Sequence, residues 1–172
     1  MISIFRTDDR IIHEEKELSS GAWVNMINPT VTEGEEIAKE LGIDLHDLLA
    51  ALDEEESSRV ELEDGYTLIL VDIPATEIRH EKEAYNTIPL GIILTQDVII
   101  TVCTEETPVL QAFVNGRVKE FSTKKKLRFV YQILFRISTQ YQYCLRIIDK
   151  KRTEIEERID YNTENVDLID LH

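Results

Sequence analysis

Residues 127 to 159 place Leu127, Tyr131, Leu134, Ser138, Tyr141, Leu145, Ile148, Arg152, Ile155 and Ile159 at alternating steps of four and three. That spacing is a heptad seam, and at 1.5 Å per residue it demands a helix of about 50 Å, too long for a compact domain to enclose. Over the first half a second stripe, Phe129, Ile133, Ile137, Cys144 and Ile147, widens the apolar surface; beyond Asp149 only the narrow seam continues among charges. The pattern predicts a helix docked at one end and protruding at the other. Tyr161-Asn-Thr163 interrupts it, and Thr163 is read as the cap of a new helix carrying Val166, Ile169 and Leu171. A protruding seam needs a cover, either the continuation of that last helix beyond His172 or another copy of the chain.

The residues before the seam read as one α/β domain, 1–126, with 127–172 as the long helix plus the start of a second stalk helix. Ala22 to Ile27 reads as a strand closed by Asn28-Pro29, after which Thr30 with Glu33, or Thr32 with Glu35, offers a capping box for a helix ending at Gly42. Asp44 caps a second helix with Leu45, Leu48, Leu49 and Leu52 on one face and Asp47 off it. The run Asp53-Glu-Glu-Glu-Ser-Ser58 ends that helix as a solvated loop. Arg59 to Glu63 alternates, Asp64-Gly65 turns, and Tyr66 to Ile73 is apolar on both faces, as in a strand covered on both sides. Thr87 to Thr95 and Val98 to Thr104 form a hairpin around Gln96-Asp97, Ala75 to Asn86 reads as a projecting loop, and Pro108 to Val114 as a short helix stopped near Asn115-Gly116. The fold class is α/β (α+β): a mixed β-sheet sandwiched between helices, followed by a long stalk-type helix.

Chemistry narrows the function. Thirty-four acids against nineteen Lys and Arg give a net charge of −15, which repels phosphate backbones and excludes nucleic acid as a partner. Eighteen of those acids, against five bases, fall in residues 1–64. No Gly-rich phosphate loop, nucleophile elbow, His-Glu-x-x-His or Cys-x-x-Cys occurs, and His13, His46, His80 and His172 are scattered, so the chain is not read as an enzyme. Cys103 and Cys144 sit in apolar stretches as packed thiols of a reducing compartment. The start has no secretion signal, and no run approaches the roughly 18 apolar residues that span a bilayer. The surplus chemistry is carboxylate: hard divalent cations take oxygen ligands and keep most of their waters, so weak Mg²⁺ sites are expected at Asp47, Asp53 and Glu54, with Glu55 beside them, shared between subunits.

The order of landmarks is itself a signature. Trp23-Val-Asn, Asn28-Pro-Thr, Leu41-Gly-Ile43, the Leu-rich helix, Asp53-Glu-Glu-Glu before Arg59-Val-Glu, Tyr66-Thr-Leu-Ile-Leu, Pro89-Leu-Gly-Ile-Ile-Leu and Ile99-Ile-Thr-Val, followed by the long helix, resemble the cytoplasmic domain of CorA-like divalent-cation transporters across essentially the whole chain. The resemblance implies an α/β/α funnel domain, a stalk leading to two membrane helices, and a homopentamer carrying Mg²⁺, Co²⁺ or Ni²⁺ at the cytoplasmic face of the membrane. It further implies that divalent ions held between neighbouring domains favour a closed pore, a population shift by differential binding. Some relatives carry Zn²⁺ instead. The pore signature Gly-Met-Asn is absent from these residues, and at the position where some members carry an acid this sequence has Ala50. A free-standing α/β module that oligomerises through its long helix is the competing expectation.

Overall fold

The computed structural model describes the backbone of residues 1–170 and side-chain surroundings through Glu164. Seven strands form one mixed sheet: β1 (Ile2–Asp8), β2 (Ile11–Glu15), β3 (Trp23–Ile27), β4 (Arg59–Glu63), β5 (Tyr66–Arg79), β6 (Lys82–Thr95) and β7 (Ile99–Cys103). Their order is β2-β1-β3-β7-β6-β5-β4, and only β3 and β7 run parallel. The crossover between those two carries helices α1 (Val31–Leu41) and α2 (Leu45–Leu49), a 3₁₀ turn at Ala50–Leu52, and the antiparallel strands β4 to β6. Helices α3 (Pro108–Val114) and α4 (Lys126–Asp170) follow β7.

Strand alternation divides the core in two. Val24, Met26, Leu68, Leu70, Ile93, Ile100 and Val102 face α1, α2 and the 3₁₀ turn. Trp23, Ile73, Leu90, Ile92 and Ile99 face the opposite way, onto α3 and the first half of α4. The sheet is therefore sandwiched between helices, as the hydrophobic patterning requires. Trp23 anchors the second layer: the rings of Phe5, Phe113, Phe121 and Phe129 all lie with centroids within 6.4 Å of its own. Its indole N–H donates to Thr101 Oγ1 at 2.8 Å, satisfying the one polar atom the burial of Trp23 would otherwise orphan. The first layer packs close because of a glycine: a Cβ at Gly91 would stand 3.2 Å from Ala51 Cβ, so the 3₁₀ turn approaches the sheet only over a bare backbone.

The expected signals of α1 and α2 are in place, and α3 adds a cap at Thr107 that the sequence reading did not name. Thr30 and Glu33 form the capping box of α1, Gly42 closes it at φ 67°, Asp44 caps α2 and Thr107 caps α3. Two expectations require correction. First, Ala75 to Asn86 is no loop: β5 and β6 stay paired from Tyr66↔Thr95 out to Arg79↔Lys82, making a two-stranded arm. Pro74 does not stop β5, because β4 pairs with β5 only as far as Leu70 and a proline is tolerated where one side of a strand is open. The arm flanks α4, with Tyr85 beneath Lys151 at 5.5 Å. Second, Tyr161-Asn-Thr163 does not break the long helix; Thr163 Oγ1 donates back to the Ile159 carbonyl at 2.9 Å, so the hydroxyl is used within the helix instead of capping a new one. Val166 and Ile169 lie on the same helix, their side chains outside the described set, and Leu171 lies outside the described residues.

Helix α4 docks over its first half and protrudes beyond it, as its two stripes imply. Phe129, Ile133, Ile137 and Cys144 are buried on the sheet. Of the heptad seam only Leu134 and Tyr141 join them, half-buried, the Tyr141 hydroxyl donating to the Asp72 carbonyl at 2.8 Å; Leu127, Tyr131, Leu145, Ile155 and Ile159 are each more than half exposed. Among the described residues no helix is long and apolar enough to cross a membrane.

Candidate functional site

Helix α2 is short and set by its cap. The Asp44 carboxylate accepts the backbone N–H of His46 at 2.9 Å and of Asp47 at 3.3 Å, which fixes the first turn and turns the Asp47 side chain toward the sheet edge. There Tyr66, the first residue of β5, donates its phenolic O–H to Asp47 Oδ2 at 2.5 Å, and the Asp44 N–H donates to the same phenol oxygen at 3.4 Å. Desolvation, reinforced by the Asp47 carboxylate, pushes the Tyr66 phenol up to about 12, so it is a fixed donor at neutral pH.

Strand β4 brings the other acids. Its register sets Glu61 opposite Leu68 and Glu63 opposite Tyr66, on the sheet face that carries α2. Oxygens of Asp47, Glu61 and Glu63 consequently lie within 4.8 Å of one another. Asp47 and Glu61 are half-buried and Glu63 is exposed. Arg59, on the same face of β4, holds Glu61 through Nε at 2.6 Å and Glu56 through Nη1 at 2.5 Å. These hydrogen bonds, Glu56 first, raise the guanidinium pKa further. One arginine thus serves two carboxylates, and Asp47 and Glu63 have no basic partner among the described residues.

Three oxygens at this spacing fit a cation that keeps part of its water shell. Mg²⁺ holds ligands at about 2.0–2.1 Å and dehydrates reluctantly, so carboxylates almost 5 Å apart can share one hydrated ion through direct and water-mediated contacts. Without a cation, each like-charge pair at that separation repels by about 1 kcal/mol in water, and more at a half-buried edge.

Of the acids singled out from sequence, only Asp47 joins this cluster. Asp53 and Glu54 lie in the exposed turn after the 3₁₀ segment, where Asp53 Oδ1 accepts the Glu55 N–H at 3.0 Å. Glu61 and Glu63 were missed; the alternation Arg59-x-Glu61-x-Glu63 next to Tyr66 was the available signal, since it puts three charges on one strand face. Ala50 is buried at 3% exposure against the sheet. Cys103 is buried, its Sγ donates to the Pro89 carbonyl at 3.6 Å, and burial pushes the thiol pKa up, which leaves it an unreactive core group.

Fold and site define the class: an α/β/α domain with an acidic outer layer, extended by a stalk-type helix whose apolar seam is uncovered. The family model described as CorA-like Mg²⁺ transporter protein matches residues 19–171, and the chain belongs to that family. It is 27% identical over 160 residues to the cobalt/magnesium transport protein CorA of Methanocaldococcus jannaschii, covering 88% of this chain and 46% of that protein. The chain thus spans about half the length of the curated relative it matches. The soluble domain of CorA from the same organism superposes with a TM-score of 0.75 at 22% identity, over 92% of this chain and 64% of that one. The ZntB cytoplasmic domain from Vibrio parahaemolyticus shares the fold at a TM-score of 0.64 and 12% identity, over 86% of this chain and 62% of that one.

Proposed function

We propose that this chain is the cytoplasmic, ion-sensing part of a divalent-cation transporter: a homopentamer anchored by membrane helices that carries Mg²⁺, with Co²⁺ or Ni²⁺ as further cargo. The observation that carries the reading is the family match across residues 19–171, on a fold whose long helix leaves an apolar seam without a cover. In this reading the seam is the docking line of the stalk. Divalent ions neutralise acids around Asp47, with Glu61 and Glu63 beside it and Asp53 and Glu54 on the adjoining turn. Ion occupancy stabilises the arrangement in which acidic surfaces approach one another; loss of ions at low intracellular Mg²⁺ releases it, and the pore opens. The ion acts by binding one arrangement better than the other, which is all that a population shift requires.

A second cargo, Zn²⁺, is favoured by one observation, the likeness to the ZntB cytoplasmic domain. The donor set speaks for the harder ions, since the cluster holds carboxylates alone and neither His nor Cys. Detection of the native gene product with an antibody against this chain tests the reading. A species well above 20 kDa that only detergent extracts is expected; a 20 kDa species in the aqueous fraction would favour the free-standing oligomerising module.

A further inference from the structure

Helix α3 and the first half of α4 enclose a cleft that neither the sheet nor the stalk seam uses. Arg136, Thr139 and Gln140, three and four residues apart, line its α4 wall. None of the three belongs to the heptad seam or to the stripe buried on the sheet, so the cleft takes a third face of the helix. Its volume is about 580 Å³, within the range of small-ligand sites. Helices α3 and α4 pack on the side of the sheet opposite α1 and α2, so the cleft is remote from Asp47.

The cleft is polarised along its length. Gly116 at φ 68° closes α3, and the Arg117 N–H donates to the Ala112 carbonyl at 2.9 Å, which fixes Arg117 at one end. Arg136 stands at the same end, its guanidinium over the Phe113 ring at 5.9 Å. Stacking engages the face of a guanidinium and leaves the N–H groups along its edge free. Glu120 is the one acid between residues 107 and 148, and it pairs with Arg10 at 3.8 Å and Arg128 at 4.0 Å. Neither Arg117 nor Arg136 has a carboxylate within ion-pair distance among the described residues. At the other end, one length of α3 and so about 10 Å away, exposed Glu106 stands beside Gln140. Between the ends the lining is apolar: Val109 and Ala112 from α3, and Phe135, 72% exposed, from α4.

We propose that this cleft binds a small organic anion with a flat apolar body and a hydrogen-bond donor at its far end, the build of adenosine monophosphate. The phosphate takes the forked donors of Arg117 and Arg136, the base stacks on Phe135, and the exocyclic amine donates to the Glu106 carboxylate. The net charge that repels a nucleic-acid backbone does not oppose such a ligand, because a single phosphate within a few ångströms of two guanidiniums feels them far more than acids beyond a Debye length of about 8 Å. The site stands apart from the metal reading, on other residues and on the other face of the sheet.

The test is calorimetric titration of the 172-residue chain with adenosine monophosphate in buffer containing EDTA, so that divalent cations take no part. Saturable binding at one site per chain is expected. Adenosine, which lacks the phosphate, and inorganic phosphate, which lacks the apolar body, should each bind about tenfold more weakly or worse. Inosine monophosphate, with a carbonyl oxygen where the amine was, should also bind more weakly, and Glu106→Gln should close that gap because an amide can donate to the carbonyl. Arg117→Gln and Arg136→Gln should each weaken adenosine monophosphate by about tenfold while keeping a cooperative thermal melt, since neither arginine is buried in the core. No saturable binding, inorganic phosphate that binds as tightly as the nucleotide, or arginine variants that fold and keep wild-type affinity would each overturn the proposal. Equal affinity for the two nucleotides would overturn the role given to Glu106.

Discussion

Tyr66→Phe removes one oxygen and leaves the ring. In the structure that oxygen donates to Asp47 at 2.5 Å and is the group that orients the carboxylate toward Glu61 and Glu63. A hydrogen bond to a charged group is worth about 1.5–3 kcal/mol net; because water still reaches half-buried Asp47, the value here lies at or below the bottom of that range, about 1–2 kcal/mol. For a domain of this size each kcal/mol moves the melting temperature by about 2–4 °C, so Tyr66→Phe should melt about 2–8 °C lower at pH 7. The pH dependence supplies an independent check. The folded-state phenol titrates near 12, above the ordinary value of 10. The folded chain therefore keeps a proton that the unfolded chain loses, and stability falls as pH rises through that window. Below pH 10 the Tyr66 contribution is whole; between 10 and 12 it is lost, and the gap between wild type and Tyr66→Phe should close. Thermal melts at several pH values from 7 to 11 decide it. Equal melting temperatures at pH 7, or a gap that stays constant above pH 10, would refute the hydrogen bond as described.

Asp47→Asn should lose at least half of any Mg²⁺-induced rise in melting temperature, whereas Asp53→Asn combined with Glu54→Gln should lose less, because those two lie outside the three-carboxylate cluster; calorimetric melts with and without Mg²⁺ compare them. Ala50→Asp places a carboxylate where the side chain is 3% exposed and no base is at hand, so it should destabilise by about 3 kcal/mol or more and build no new site, read as a lower melting temperature with an unchanged Mg²⁺ increment. His80→Asn with Glu81→Gly should stabilise by about 0.5–1 kcal/mol, since both residues hold positive φ (50° and 64°) in a two-residue hairpin turn that Asn-Gly prefers; chemical denaturation measures it.

The same turns explain what the sequence concealed. The hairpin of β1 and β2 turns on Asp9-Arg10 and the long arm on His80-Glu81, all four residues at positive φ and none of them glycine, so neither turn carried its usual mark. The caps of α1 and α2, by contrast, were legible because each joins residues two or three apart: Thr30 with Glu33, and Asp44 with the N–H groups after it. Thr163 shows the limit of that signal, since the same hydroxyl can bond backward to Ile159 within a continuing helix. The site was half visible for a related reason. Asp47 announces itself beside its cap, but Glu61 and Glu63 reach it only through the pairing of β4 with β5 and the packing of α2 on that edge, contacts that no local pattern encodes. On α4 both apolar stripes were readable; which one meets the sheet depends on Trp23 and the phenylalanine cluster that receives Phe129.

The central claim is that this domain binds divalent cations through its acidic edge. Its most direct test is the thermal unfolding of the 172-residue chain in Mg²⁺ against NaCl of matched ionic strength. At ten times the dissociation constant, a single site on the folded state stabilises by about 1.4 kcal/mol, which corresponds to a rise of about 3–6 °C. A rise of that size that saturates with Mg²⁺ and shrinks in Asp47→Asn is the expected result; melting curves that coincide in Mg²⁺ and in matched NaCl would contradict the claim.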